Sequence, residues 1–182
     1  ASAHYSTSGT GSRQHFFKGA TETMSVAAGD VLYTYVYLDP ASPPSELMLQ
    51  WNDGTWDHRA YWGADQILYG VKGTEGRKSM GALPPAGQWA RLEVPAIAIG
   101  LEGKSVRGMA FTVFGGRAAW DVTGVNTLGT STNSTPGGGT TNPANSLVWV
   151  DGRLPTGAVG AADGGDGWTW VTARPPPFAG AG

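Results

Sequence analysis

The chain has 182 residues, enough for one domain of good size with a real hydrophobic core. Charged residues make up only 14% of it and the net charge is −2, so the basic surface typical of nucleic-acid-binding proteins is absent from the sequence. No apolar run approaches the ~20 residues that a membrane-spanning helix needs, and the lack of cysteine excludes disulfides and thiolate metal ligands.

Strand signals follow one another from the N-terminus, with glycine and proline between them. The densest is VLYTYVYL, and Asn52, Asp53 and Gly54 form a strong hairpin signal after a later one. Only residues 63–68 and 96–101 leave room for a helix, of a turn or two each. The predicted strands cover residues 21–26, 31–38, 46–51, 56–62, 88–94, 106–114 and 117–122. This pattern predicts an all-β, jelly-roll-like antiparallel sandwich.

The composition changes sharply after residue 123. Residues 124–146 are rich in Thr, Ser, Gly, Pro and Asn, which is typical of a linker. We therefore divide the chain into a sandwich body (1–123), a linker (124–146) and a C-terminal strand segment (147–182). This segment is expected to complete a sandwich, either in its own chain or in a neighbouring copy. The side chains expected to make those contacts are Leu147, Val148, Trp149, Val150, Trp168 and Trp170.

Two long stretches of the sequence have a distinctive residue pattern. They read DVLYTYVYLDPASPPSELMLQWNDGTWDHRAYWGAD and GQWARLEVPAIAIGLEGKSVRGMAFTVFGGRAAWD. Both resemble a module of large bacterial secreted and cell-surface proteins, including RHS-repeat proteins. That module is similar to galactose-binding-like and carbohydrate-binding jelly rolls. The resemblance implies an extracellular or cell-surface location and an adhesive or sugar-binding setting, but it assigns no activity to particular residues.

The order of motifs departs from that module. There, a VWVDD-type strand and a W-x-WV segment precede the HQHYF-type strand. Here VWVDG and WTWV come last, and RQHFF stands near the start. The chain begins at Ala1 without an initiator methionine, so we expect a processed or excised segment. Either the window comes from a tandem array, or the last strands complete a neighbouring copy.

One hairpin concentrates aromatic residues that suit a sugar platform, since pyranose rings stack on flat π faces. The candidate glycan contacts are Trp51, Trp56, Tyr61 and Trp62. The alternative, which we favour, is that these rings pack in the core, because one face of a sandwich strand must be buried. On a regular strand, Trp56 and Trp62 would share that face.

No cofactor is expected, with calcium at Asp163 and Asp166 as the less favoured alternative to an ordinary Asp/Gly turn. An enzyme is not expected either. Only His4, His15 and His58 are present, without an HExxH or GxSxG motif or a paired His/carboxylate spacing.

Two functions remain open from the sequence. The first is a non-catalytic subunit of an extracellular fibre or surface assembly that polymerises by docking its C-terminal strands onto the next copy. The second is a carbohydrate-binding or adhesion module whose C-terminal strands fold back onto their own body. The partners would be other copies of the chain or a polysaccharide, with no nucleic acid and no membrane insertion.

Overall fold

The computed structural model describes residues 2–127 and 146–172. Two sheets, antiparallel except for one short parallel pair at an edge, pack face to face, so the prediction of an all-β sandwich is confirmed. Sheet A has the spatial order β14 (Thr169–Val171), β1 (Ala3–Tyr5), β11 (Ala118–Asn126), β4 (Val31–Leu38) and β8 (Trp89–Pro95), with β12 (Ser146–Val150) also paired to β11. Sheet B has the order β13 (Val159–Asp163), β2 (Gly9–Lys18), β10 (Gly108–Gly116), β5 (Glu46–Asn52), β6 (His58–Gly63) and β7 (Lys78–Ser79).

Several pairs of consecutive strands divide between the two sheets, as in jelly rolls: β1 and β2, β4 and β5, and β10 and β11. The hairpin of β5 and β6 stays within sheet B. A small separate ladder joins β3 (Met24–Ser25) to β9 (Ser105–Val106). The expected helical stretch at 96–101 contains a short 3-10 helix, Ala96–Ile99, whereas residues 63–68 form no helix.

The core lies between the sheets because each strand turns alternate side chains inward. In β4, Leu32 and Val36 are fully buried between the sheets, and the tyrosines of the same strand point to its other face. In β5, Leu47, Leu49 and Trp51 enter the same core. The sandwich therefore buries the inner face of each sheet, whereas the outer faces are covered only in part.

The C-terminal segment pairs with its own chain in this structure. Strand β12 lies against β11, β13 extends sheet B next to β2, and β14 extends sheet A next to β1. Trp149 and Val150 are buried in the core, as expected for this strand. Leu147 and Val148 differ from the expectation, since each is 46% exposed.

The expected domain boundaries shift in one respect. Strand β11 continues to Asn126 instead of ending before residue 124, and β12 already begins at Ser146. Gly124 permits this pairing, because a Cβ there would collide with the carbonyl oxygen of Leu147. Most of the predicted linker lies outside the described residues, as do residues 173–182 of the predicted C-terminal segment.

Replacing Trp62 with alanine should lower the free energy of unfolding by ~3–5 kcal/mol, because the buried indole leaves a large cavity in the core. Tyr69 is 36% exposed on a surface loop, and Tyr69→Ala should cost less than about 1 kcal/mol. Urea denaturation followed by circular dichroism measures both values. Equal losses in the two variants would contradict the burial of Trp62.

Gly124→Ala should displace β12 from β11 and lower the melting temperature, because the added methyl group occupies the position of the Leu147 carbonyl. Gly167→Ala is the matched control within the C-terminal segment, since nothing lies within 4 Å of its Cβ position. Differential scanning calorimetry compares the two. A Gly124→Ala protein that melts like the wild type would show that β12 does not pair there.

Candidate binding groove

The outer face of sheet B is divided into a covered half and an open half. Over the covered half, the loop after β6 lays Ile67 onto Met48 and Tyr61. The open half is a groove of about 270 Å³. We call it the sheet-B groove, and its lining residues are Gln14, Phe16, Gln50, Trp56, Arg59, Tyr69, Ala110 and Asp163.

The floor of the groove is a hydrogen-bonded polar network. The Nε2 of Gln50 donates to the Oε1 of Gln14 at 2.7 Å and to the Oγ1 of Thr112 at 3.0 Å. The Oε1 of Gln50 in turn accepts from the Nε of Arg59 at 2.8 Å. These bonds fix the side chains before any ligand arrives, which lowers the entropic cost of binding.

Several polar atoms of the groove remain available to a ligand. Among the described residues, the Nε2 of Gln14 and the Nη2 of Arg59 have no hydrogen-bond partner. Asp163 uses one carboxylate oxygen to accept from the backbone N–H of Gly164 at 2.8 Å, and its other oxygen faces no donor in the described chain. The groove therefore offers both donors and an acceptor.

The charge of the groove is nearly balanced. Burial lowers the pKa of Arg59, and the negative charge of Asp57 acts in the opposite direction. Asp163 supplies a carboxylate on the lining as a counterpart to this guanidinium. A ligand therefore meets one positive and one negative group, an arrangement that gives no strong preference for a charged ligand.

Two aromatic rings from loops border the polar floor. Trp56 packs edge-on against Phe16, with ring centroids 5.9 Å apart. Tyr69 comes from the loop that covers the other half of the sheet, and it is partly exposed. Flat rings beside fixed hydrogen-bonding groups are the surface that a sugar ring requires.

Of the four candidate glycan contacts, the structure places only Trp56 in the groove. Trp51 and Trp62 lie in the sandwich core, and Tyr61 is buried beneath Ile67. Trp56 does not share a strand face with Trp62, because β6 begins only at His58. The expected face-sharing of these two tryptophans is therefore wrong, while the burial of Trp62 agrees with the favoured alternative.

Sequence reasoning missed most of the groove. Gln14, Gln50 and Arg59 come from three different strands, and only the sheet order brings them together. One signal was present: Gln50 occupies an outward position between Leu49 and Trp51, which enter the core. Tyr69 gave no signal, since it follows no periodic pattern.

Asp163 and Asp166 end a tight turn, in which the backbone N–H of Asp166 donates to the carbonyl of Asp163 at 3.3 Å. The Oδ1 of Asp166 accepts from the backbone N–H of Thr7 at 2.7 Å, and its Oδ2 lies 2.9 Å from His15. No group of three His, Asp or Glu side chains suited to a metal ion occurs within residues 2–127 and 146–172. These two carboxylates act as turn and docking residues here.

His15 and Asp166 meet although they stand far apart in the sequence. The sequence itself shows no histidine and carboxylate at a motif spacing. Both are fully buried, so they do not face the groove. The expectation that the protein is not an enzyme stays a prediction.

Comparison with protein-family models and with curated proteins finds no match for this chain. The fold and the groove together define it as a β-sandwich protein with a preformed polar and aromatic groove on one sheet. The resemblance to a module of bacterial surface and RHS-repeat proteins stays a prediction. Within the described ranges, no helix has the length and apolar character to cross a bilayer.

Proposed function

We propose that the protein is a carbohydrate-binding module that holds a short stretch of a neutral polysaccharide in the sheet-B groove. The observation that carries this proposal is the combination of the Gln14–Gln50–Arg59 network with the rings of Trp56 and Tyr69. The groove volume of about 270 Å³ lies near the lower end of small-molecule sites, which suits a short segment of a chain.

The chemistry of the groove supports a neutral sugar. A pyranose presents apolar C–H faces and a rim of hydroxyl groups that both donate and accept. The rings of Trp56 and Tyr69 suit the faces, while the amide of Gln14 and the carboxylate of Asp163 suit the rim. The chain has few charged residues and many glycine, serine and threonine residues, and this composition supports an extracellular setting.

Removing either groove ring should weaken binding by about 0.5–1.5 kcal/mol, or roughly 2- to 12-fold in affinity. Trp56→Ala and Tyr69→Ala should therefore migrate faster than the wild type in gels that contain soluble polysaccharide. Tyr37→Ala is the matched control, because this tyrosine packs against Trp89 on the outside of sheet A. Its retardation should equal that of the wild type.

The gels contain mixed-linkage β-glucan, xylan or galactomannan as neutral probes, and polygalacturonate or alginate as acidic ones. Retardation by a neutral probe alone is the expected result. Retardation by acidic probes alone would reverse the assigned charge preference. If no probe retards the wild type, or if the groove variants behave like Tyr37→Ala, the proposed function is wrong.

Assembly by strand exchange is a second candidate. The C-terminal segment meets the body along three ladders, through β12, β13 and β14. The same contacts are available between copies, since residues 128–145 separate the segment from the body along the chain. Leu147 and Val148 also present half-exposed apolar side chains at the start of β12.

Strand exchange predicts a mass that grows with protein concentration. Light scattering coupled to size-exclusion chromatography measures it, and Gly124→Ala should reduce the growth because it disturbs the β11–β12 pair. Gly167→Ala again serves as the control. If the wild type stays monomeric over the whole accessible range of protein concentration, the C-terminal strands pair within their own chain and strand exchange is wrong.

A further inference from the structure

Three buried polar side chains connect the C-terminal segment to the first two strands. The Nδ1 of His4 lies 2.8 Å from the Nε2 of His15, and the Nδ1 of His15 lies 2.9 Å from the Oδ2 of Asp166. His4 and His15 are almost completely shielded from solvent. We call this chain of side chains the His–His–Asp relay.

Proton accounting fixes the direction of both hydrogen bonds. Asp166 in its ionised form can only accept, so the Nδ1 of His15 carries a proton and donates it. With a single ring proton, His15 has a bare Nε2, which accepts from the Nδ1 of His4. Neutral His4 is left with a bare Nε2, and this atom has no hydrogen-bond partner in the described chain. The next proton taken up by the relay therefore binds at the Nε2 of His4.

The surroundings of His4 oppose that proton. Its ring centroid lies 4.6 Å from that of Phe111 and 5.0 Å from those of Trp168 and Trp170. None of these neighbours can accept a hydrogen bond as a carbonyl or carboxylate does. The only cation on the adjoining part of β2 is Arg13, which bonds the carbonyl oxygens of Thr7, Thr10 and Gly116.

The direction of the pH effect follows from these surroundings. Burial holds the pKa of His4 well below its ordinary value of 6.5, and a second proton on His15 would lower this pKa further. A released His4 would titrate near 6.5, so it takes up a proton at pH values where the docked residue does not. Docking is therefore fully stable above about pH 6.5 and weakens as the pH falls below it.

Asp166 acts at lower pH. Burial by itself raises the pKa of this carboxyl, but the hydrogen bond and charge of His15 and the backbone N–H groups of Thr7 and Gly167 lower it overall. Its contribution is therefore present at neutral pH and is lost only as the pH falls through the acidic range of carboxylates. The first loss on acidification comes from His4.

The relay lies directly behind the sheet-B groove. Gln14 and His15 are neighbours on β2, so they point to opposite faces of sheet B. The turn that carries Asp166 also carries Asp163, which pairs with Gln14 and lines the groove. If the segment leaves, the groove loses one of its walls.

We propose that proton uptake by the His–His–Asp relay releases the C-terminal segment from β1 and β2 in mild acid and opens the sheet-B groove. The groove is then complete at neutral pH and incomplete below it. The release of the segment stands on the relay alone, whereas the consequence for a glycan rests on the proposed function.

Amide hydrogen exchange measured by mass spectrometry tests the release. Exchange of Val159–Asp163 is compared with that of Glu46–Asn52 in the same molecule, so that the intrinsic pH dependence of exchange cancels. From about pH 7.5 to about pH 5, the ratio should rise by up to tenfold per pH unit below about 6.5, as expected for one proton. A constant ratio would overturn the proposal.

His4→Asn keeps a donor near the Nε2 of His15 but cannot take up a proton, so its exchange ratio should not change with pH. If the asparagine variant does not fold, His4→Phe is used instead. Its ring cannot take up a proton and fills the space between Phe111, Trp168 and Trp170. His58→Asn is the matched control, because this buried histidine lies away from the relay. Its Nδ1 contacts the carbonyl oxygen of Ile99 and its Nε2 contacts the carboxylate of Asp53. The exchange ratio of His58→Asn should change with pH as that of the wild type does. An exchange ratio that still changes with pH in the His4 variants would contradict the assignment of the proton to His4.

Gels that contain mixed-linkage β-glucan, xylan or galactomannan at neutral and mildly acidic pH test the second part. Retardation should weaken in acid for the wild type and stay constant for His4→Asn. If no polysaccharide retards the protein at either pH, the proposed function fails while the exchange ratio still decides the release. If retardation is equal at both pH values although the segment exchanges, the groove does not depend on the segment.

Discussion

Two indole N–H groups tie the C-terminal segment to the rest of the sandwich. The Nε1 of Trp149 donates to the carbonyl of Glu22 at 2.6 Å, and the Nε1 of Trp168 donates to the carbonyl of Phe16 at 3.0 Å. A buried N–H without a partner costs about 1–3 kcal/mol, so each of these two hydrogen bonds favours the docked position of its indole. The pairing of β13, the position of Asp163 and the His15–Asp166 contact all follow from this docking.

Strand β2 shows how one element serves several purposes through alternation alone. Phe17 enters the core and His15 enters the relay, while Gln14 and Phe16 face the groove. Because the period of a strand is two, core and groove cannot be changed independently by shifting the register. Arg59, Gln14 and Gln50 at the floor of the sheet-B groove are therefore held in position as firmly as the core residues beneath them.

The fold was predictable where residue composition and the alternation of inward and outward side chains both indicate a strand. Residues 31–38 form a strand with the expected bounds, because their β-branched and aromatic side chains suit a sheet with one buried face. Strand β13 was not predictable, since Val159–Asp163 is mostly glycine and alanine and becomes a strand only beside β2. The groove and the relay were hidden for the same reason: contacts such as His15–Asp166 join residues that are far apart in sequence.

The ladders that hold the C-terminal segment also determine how it responds to mechanical force. In the β1–β14 pair, Ala3 lies opposite Val171, and in the β11–β12 pair, Asn126 lies opposite Ser146. The strands at each junction thus leave the ladder from the same end, and antiparallel hydrogen bonds run perpendicular to the strands. Tension between residues 2 and 172 therefore loads the hydrogen bonds of the β1–β14 ladder one at a time, as in a zipper, so we expect this ladder to open at low force.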